Sequence, residues 1–329
     1  MPCQLSNKHF TIGIVLLSLA SIAQGQQPIT RLPESLTQST TIDSVAEKEV
    51  ATFIAKSMTN LASDDPTTVR NGREMIVQSL SKQSVNPAFR TIFASKVLPG
   101  LRKTIADGSA FQATNALEVV KALQSPDAIA FLSEQSSPKK QPNASLRLVA
   151  ASGLSSLRTP IDLTVAQADG ILKMIGASAA QESDWMIASY DLQALQAFST
   201  SPHVPKASQG TARTLLISSL ESMVDRLRKA SASTPAGELE LIRAVNRSLA
   251  TYMRDQVPLA TPADAASLAK ALEPTLRNIK LLASDPPPSS DVDAYKQAGK
   301  TAEKMLVALV PGNSPKPQGK PQGKPAARK

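Results

Sequence analysis

The chain contains few of the side chains on which covalent and metal chemistry depend. Among its 329 residues there are one cysteine, Cys3, and two histidines, His9 and His203. Because Cys3 lies at the extreme N-terminus, the rest of the chain has no thiol for a disulfide, a cysteine metal site or a cysteine nucleophile. The sequence also lacks an H-E-x-x-H pattern, a Walker A loop and a glycine-rich dinucleotide motif. We therefore predict a non-enzymatic protein with no catalytic residues, no metal and no cofactor.

Aromatic residues are scarce as well, at 3% of the chain, although 42% of the residues are hydrophobic. The core must then be aliphatic, which suits helix-on-helix packing better than a sheet, because strands favour aromatic and β-branched side chains. No stretch alternates apolar and polar residues between turn signals. The expected fold class is all-α.

The N-terminus has the composition of a targeting segment. Lys8 precedes Phe10 to Ala23, an uncharged stretch of 14 residues, and a membrane-spanning helix needs about 20. Small residues precede two possible cleavage points, after Ala23 and after Gly25. We expect residues 1–25 to be a signal peptide, with retention as an anchor as the alternative. The mature chain would be exported, periplasmic or extracellular, and export without disulfides favours a bacterial envelope.

Helical patterns follow almost without interruption, and many are announced by a capping residue followed by proline. Proline is favourable at the first helical position because its missing amide would be unpaired there. About twelve helices are expected from the apolar periodicity. Their predicted starts lie near Thr41, Pro66, Pro87, Phe111, Pro126, Ala144, Leu163, Ser183, Pro205, Pro235, Pro262 and Asp291. Pro99 and Pro274 fall inside such patterns, where proline should kink or break a helix.

The stretch from Leu123 to Leu157 has the clearest organisation, with two helices joined by a polar turn. Asn143 occupies the N-cap position of the second helix. The stripe of that helix consists of Leu146, Val149, Ala150, Gly153, Leu154 and Leu157. Its small residues allow another helix to approach closely. A helix pair of this kind cannot bury its stripe alone and must pack on similar pairs.

Two of the predicted helices resemble the second helix of a HEAT repeat; HEAT and armadillo repeats belong to the same class of α-solenoids. Asp65-Pro66 with Val69-Arg70 resembles the D-P-x-x-V-R start of the second HEAT helix. Leu146-Arg147 with Ala150-Ala151 and Leu154 resembles the V-R…A-A…L run of the same helix. Pieces similar to first helices are Ser125-Pro126-Asp127-Ala128-Ile129 and Val97-Leu98-Pro99-Gly100-Leu101. The likeness covers about 64–198 and implies a right-handed α-solenoid used for protein contacts. In such repeats, arginines at positions like Arg70 and Arg147 pair with acids of a neighbouring turn.

The expected domain organisation follows from these patterns. Residues 26–40 are polar and proline-punctuated, which predicts a flexible lead-in. Residues 41–310 would form about six antiparallel helical hairpins. Residues 311–329, with two copies of K-P-Q-G, contain no apolar run and predict a disordered tail, so both termini are expected to be disordered.

Positive charge is concentrated at the ends of the chain, since the leader contributes one base and the tail five without any acid. Six of the nine net charges therefore lie outside the predicted repeat domain. The tail bases, which we take as candidate polyanion-binding residues, are Lys316, Lys320, Lys324, Arg328 and Lys329. A flexible basic segment can bind polyanions by counterion release. In an exported protein these would be envelope polymers, anionic lipid head groups or acidic proteins, and not chromosomal nucleic acid; a merely solubilising tail is equally compatible.

Two functions are left open by the sequence. The first is an interaction scaffold for an unidentified protein partner or an anionic envelope polymer. The alternative is an all-α envelope enzyme acting on polysaccharide or peptidoglycan, which requires two carboxylates across a cleft. We expect Trp185 and Tyr190 to pack in the core and His203 to lie in a surface loop. Acids such as Asp65, Asp184 and Asp291 stand at helix starts, where capping explains them without a metal.

Overall fold

The structure, a computed structural model, describes residues 31–309 except for 83, 157–160, 260 and 289. The predicted signal peptide, the predicted tail and its five candidate residues lie outside this part, as does Leu157. Within the described ranges the chain is all-α and contains no strand, which confirms the expected class. The helices are α1 (Glu34–Thr37), α2 (Ser44–Leu61), α3 (Pro66–Leu80), α4 (Pro87–Asp107), α5 (Ala110–Leu123), α6 (Pro126–Ser136), α7 (Ala144–Ser155), α8 (Val165–Gln181), α9 (Trp185–Thr200), α10 (Lys206–Arg228), α11 (Ala236–Leu239), α12 (Leu241–Asp255), α13 (Pro262–Ser284) and α14 (Val292–Ala308), with a 3-10 turn at Val257–Leu259.

Each predicted helix start lies within three residues of an observed one, because the start signals are local. The starts of α1 and α12 were not predicted. Side chains of Asp65, Asn86, Ser125 and Asn143 each accept a hydrogen bond from a first-turn amide, as predicted. Thr234 precedes Pro235 in the same capping pattern, but its hydroxyl accepts from the amide of Ser231 and α11 begins without a side-chain cap.

Neither internal proline ends its helix. Pro99 lies within α4 and Pro274 within α13, so the expectation of a break is wrong. Around Pro99, the side chains of Val97, Leu98 and Leu101 are buried. Burial of each such side chain contributes about 1.5–3 kcal/mol, so together they outweigh the helix cost of about 3 kcal/mol for one proline.

The described part of the predicted lead-in, residues 31–40, contains a short helix and buried side chains, while residues 26–30 lie outside the described part. Leu32 and Leu36 are both buried. The backbone amide of Leu32 donates to the hydroxyl of Ser79 on α3 at 3.1 Å, and Leu36 lies on the short helix α1. Two apolar side chains in a polar stretch were sufficient to anchor it.

The helices pack in consecutive pairs: α2 with α3, α4 with α5, α6 with α7, α8 with α9, α10 with α12, and α13 with α14. The first helix of each pair also packs against the first helix of the next pair, and each second helix packs against the next second helix. Buried residues from Leu32 to Leu309 form one continuous hydrophobic cluster through all six pairs. The cluster is mainly aliphatic, as the scarcity of aromatics requires.

Buried arginines fasten the ends of these helices. Arg90 on α4 is 5% exposed, and its guanidinium donates to the carbonyl oxygens of Leu80 at the end of α3 and of Ala122 and Leu123 at the end of α5. The last carbonyls of a helix have no partner within the helix. One side chain therefore satisfies the ends of two helices, and its burial lowers the pKa of the Arg90 guanidinium.

Arg147 on α7 is also buried, and it binds an acid as well as backbone carbonyls. Its Nε lies 2.8 Å from Glu182 Oε2 and its Nη2 lies 3.1 Å from Glu182 Oε1, in the fork geometry of a bidentate pair. Its Nη1 donates to the carbonyls of Gln141 and Pro142 before α7. This confirms the predicted structural role of Arg147. Arg70 is exposed, and its guanidinium instead lies 5.5 Å from the ring centroid of Phe111.

The described part of the α7 stripe is largely buried, with Val149 partly buried. Leu146, Ala150 and Leu154 are in the core, and Leu154 is 0% exposed. A Cβ at Gly153 would lie 2.6 Å from Lys121 Cγ on α5, so the small residue permits the close approach of these two helices.

We predict that Leu154→Ala destabilises the protein by about 2–5 kcal/mol, because the removed side chain leaves a cavity between packed helices. Ser155 is a matched control in the next position, only partly buried, and Ser155→Ala should change stability by less than about 0.5 kcal/mol. Urea denaturation of both variants beside the parent measures the difference. Equal, small effects would contradict the packing of α7.

Candidate functional site

The most distinctive surface in the described residues lies where α9 and α12 pack side by side. α12 is strongly amphipathic: Leu241, Ile242, Val245, Leu249 and Tyr252 are buried along one side. Its polar side carries Arg243, Arg247 and Arg254, which are four and seven residues apart. This spacing brings the arginines to neighbouring positions beside α9.

Two of these arginines cover the aromatic side chains of α9. The guanidinium of Arg243 lies 5.9 Å from the Trp185 ring centroid, and that of Arg247 lies 5.8 Å from the Tyr190 ring centroid. Both distances allow a cation–π contact. Trp185 is partly buried and packs against the core, in agreement with its predicted role. Tyr190 is partly buried and is not part of the core cluster. Arg243 also pairs with Asp291 at 2.7 Å, whereas Arg247 has no acid partner among the described residues.

Beyond Arg247 the surface opens into a cavity of about 760 Å³, which we call the α9–α12 cleft. This volume is within the range of small-molecule sites. Its wall is rich in amide and hydroxyl groups. The residues that line it are Ser155, Gln193, Gln196, Ala197, Thr200, Arg247, Ala250, Thr251, Arg254, Asp255 and Gln256.

The wall of the cleft is held in place by a contact between α9 and α12. Gln196 is 5% exposed, and its Nε2 donates to the carbonyl oxygen and the hydroxyl of Ser248 at 2.9 and 3.0 Å. The partners are 52 residues apart in sequence. The donors and acceptors of the cleft are therefore carried by helices whose relative position is fixed.

A second cavity of about 390 Å³ adjoins the cleft, since Thr200 and Gln256 line both. Arg213 of α10 and Asp264 of α13 stand at its edge, with Tyr252 in its wall. Burial raises the pKa of Tyr252, with Arg213 opposing the rise and Asp264 adding to it. The phenol thus stays protonated at neutral pH and can donate a hydrogen bond.

The two acids that line these cavities are both bonded to neighbouring side chains. Asp255 receives hydrogen bonds from Arg254 at 2.6 and 2.8 Å, and this contact lowers the pKa of Asp255. A general acid needs the opposite shift. The Asp264 carboxylate accepts from the hydroxyl of Thr261 at 2.7 Å at the start of α13.

The other residues singled out in the sequence have structural surroundings. Asp65, Asp184 and Asp291 cap α3, α9 and α14, as predicted. His203 lies in the loop before α10, with Nδ1 3.3 Å from a carboxylate oxygen of Asp162, an exposed side chain. In the described part of the chain, no three potential ligands converge as a metal site would require. No helix there has the length and apolarity needed to cross a bilayer.

The cleft was missed by the sequence reasoning. The one available signal was the arginine spacing on α12, but the aromatic and amide partners lie on α9, about 50 residues earlier. No family model matches this chain, and neither a curated protein nor a solved structure shows significant similarity to it.

Proposed function

We propose that the chain is an exported, non-enzymatic helical-repeat scaffold that binds an acidic polysaccharide in the α9–α12 cleft. Support for a solenoid comes from the serial packing, in which first helices meet first helices and second helices meet second helices. The HEAT-like segments fall at α3 and α7, two of the second helices. A right-handed stack of six hairpins accounts for both observations.

Arg247 is the observation that carries the binding proposal. It projects from the polar side of α12, covers Tyr190 and lines the cleft without an acid partner among the described residues. Arg213 lines the adjoining cavity together with Asp264 but forms no ion pair with it or with another acid of the described residues. Two free guanidinium groups beside amides and hydroxyls suit a ligand that is both anionic and rich in hydroxyl groups.

The enzyme alternative has less support. Cleavage of a glycosidic bond needs one carboxyl group with a raised pKa and a second across the bond. In the cleft, Asp255 is paired with Arg254 and has a lowered pKa.

The candidate basic residues of the tail extend the binding proposal, because they would bind further charges of the same polymer.

We expect polygalacturonate to bind the mature chain in a salt-dependent manner, and Arg247→Gln and Arg213→Gln each to weaken binding about tenfold, since charge-assisted hydrogen bonds contribute roughly 1.5–3 kcal/mol. The salt slope should fall by about one for each charge removed. Emission from Trp185, the one tryptophan, provides a titration signal near the cleft.

Arg277→Gln is the matched control, because Arg277 is exposed on α13 and paired with Glu273. Dextran serves as the uncharged polymer and polyglutamate as the polyanion without sugar hydroxyls. Equal losses at Arg277 and Arg247 would contradict a cleft site. Equal affinity for polyglutamate would show that charge alone is recognised.

A second prediction concerns the tail. Truncation after Pro311 should leave the melting temperature almost unchanged, because residues 312–329 contain no apolar run that can be buried. It should also lower the salt slope of polygalacturonate binding, with a limit of about five for five bases. The length-matched control keeps the tail and replaces Lys316, Lys320, Lys324, Arg328 and Lys329 with glutamine. If truncation lowers the melting temperature and the replacement does not, the tail packs on the repeat domain.

A further inference from the structure

A carboxyl group is buried among the packed helices. Asp191 of α9 is 0% exposed. Its Oδ2 lies 2.6 Å from the hydroxyl oxygen of Ser178 on α8, and the same hydroxyl oxygen lies 2.9 Å from the carbonyl oxygen of Ser136 at the end of α6. One chain of polar contacts therefore connects three helices.

The number of available protons decides which atom donates in each of these two contacts. Ser178 has one hydroxyl proton, whereas the Ser136 carbonyl and an ionised Asp191 would both be acceptors. With Asp191 ionised, one of the two short contacts would bring acceptor against acceptor. Asp191 Oδ1 would in addition be a buried charged atom, since it has no hydrogen-bond partner in the described chain.

We propose that Asp191 is a neutral carboxylic acid at neutral pH, donates its proton to Ser178, and so makes the α6–α8–α9 junction a pH-sensitive fastening. Ser178 then donates to the Ser136 carbonyl, which α6 itself leaves unpaired at its C-terminal end. Both contacts become hydrogen bonds, and Oδ1 becomes an uncharged carbonyl oxygen. The arrangement costs less than an unpaired buried carboxylate.

The surrounding charges agree with this protonation state. Burial raises the pKa of Asp191 well above its ordinary value; the contact with the Ser178 hydroxyl opposes the rise, the nearby Glu182 adds to it and Arg147 of α7 opposes it. The charge of the Glu182 carboxylate is balanced by its ion pair with Arg147. Arg226 of α10 donates to the backbone carbonyl oxygen of Glu182 at 2.9 Å. No charged group on the described part of α12 contributes to the shift.

The pH dependence follows from the difference between the folded and unfolded states. Below pH 4, which is about the ordinary pKa of aspartate, Asp191 is protonated in both states, so it makes no contribution to the pH dependence of stability. Above it, the unfolded chain releases the proton and the folded chain keeps it. The unfolding equilibrium constant should then rise by up to about tenfold per pH unit, until the folded protein also releases the proton.

The test compares the parent with Asp191→Asn, whose amide can donate to Ser178 at every pH. Urea denaturation of both chains from pH 4 to pH 8 gives the ratio of their unfolding constants. We expect the parent to lose stability relative to the variant as pH rises, by up to about tenfold per unit. A ratio that is constant or falls with pH would overturn the proposal. Asp107→Asn, at an exposed position on α4, should give a constant ratio.

Infrared spectroscopy provides a reading that does not depend on the fate of the variant. The parent in D₂O at neutral pH should show the carbonyl band of a protonated carboxyl group. If Asp191→Asn folds, it should lack that band. Absence of the band in the folded parent would overturn the proposal directly.

Discussion

The bidentate contact between Arg147 and Glu182 is the interaction on which the centre of this fold depends. Arg147 lies on α7, and Glu182 follows the last residue of α8. Their ion pair therefore joins the α6–α7 hairpin to the α8–α9 hairpin. Both side chains are almost fully buried, at 10% and 1% exposed. A buried pair of this kind adds little compared with apolar residues of similar size, but loss of one partner costs about 3–5 kcal/mol because the other charge is left in the core. The contact therefore enforces one register of the helices more than it adds to total stability.

Polar groups of α9 and α10 surround this pair. Arg226 reaches the same turn from α10 and donates to the carbonyl of Ala180 at 3.2 Å as well as to that of Glu182. Asp191 lies close enough for Glu182 to raise its pKa. The α9 helix that carries this buried acid also carries Tyr190 and the amides of the α9–α12 cleft. The proposed binding surface and the buried contact of Asp191 thus lie on different sides of α9. A shift of α9 would change the geometry of both.

The parts of the structure that could be predicted from the sequence are those determined by neighbouring residues. N-caps such as Asn143 act over two or three residues, and the stripe of α7 is set by helical periodicity, so both were predictable. The bond between Gln196 and Ser248 joins residues 52 apart, and its existence depends on which helices meet. The neutral state of Asp191 depends on burial among three helices. Pro99 shows the same effect in the opposite direction, because tertiary packing overrides the local preference against proline.

A double-mutant cycle on Arg147 and Glu182 tests most directly whether this buried pair ties the neighbouring helix pairs together. Arg147→Met, Glu182→Gln and the combined variant would be unfolded in urea beside the parent. We predict that each single change costs about 3–5 kcal/mol. The combined variant should be less destabilised than the sum of the two by about 1–3 kcal/mol, the coupling of groups in direct contact. Additive losses would mean that the two side chains act independently and that the junction is held by apolar packing alone.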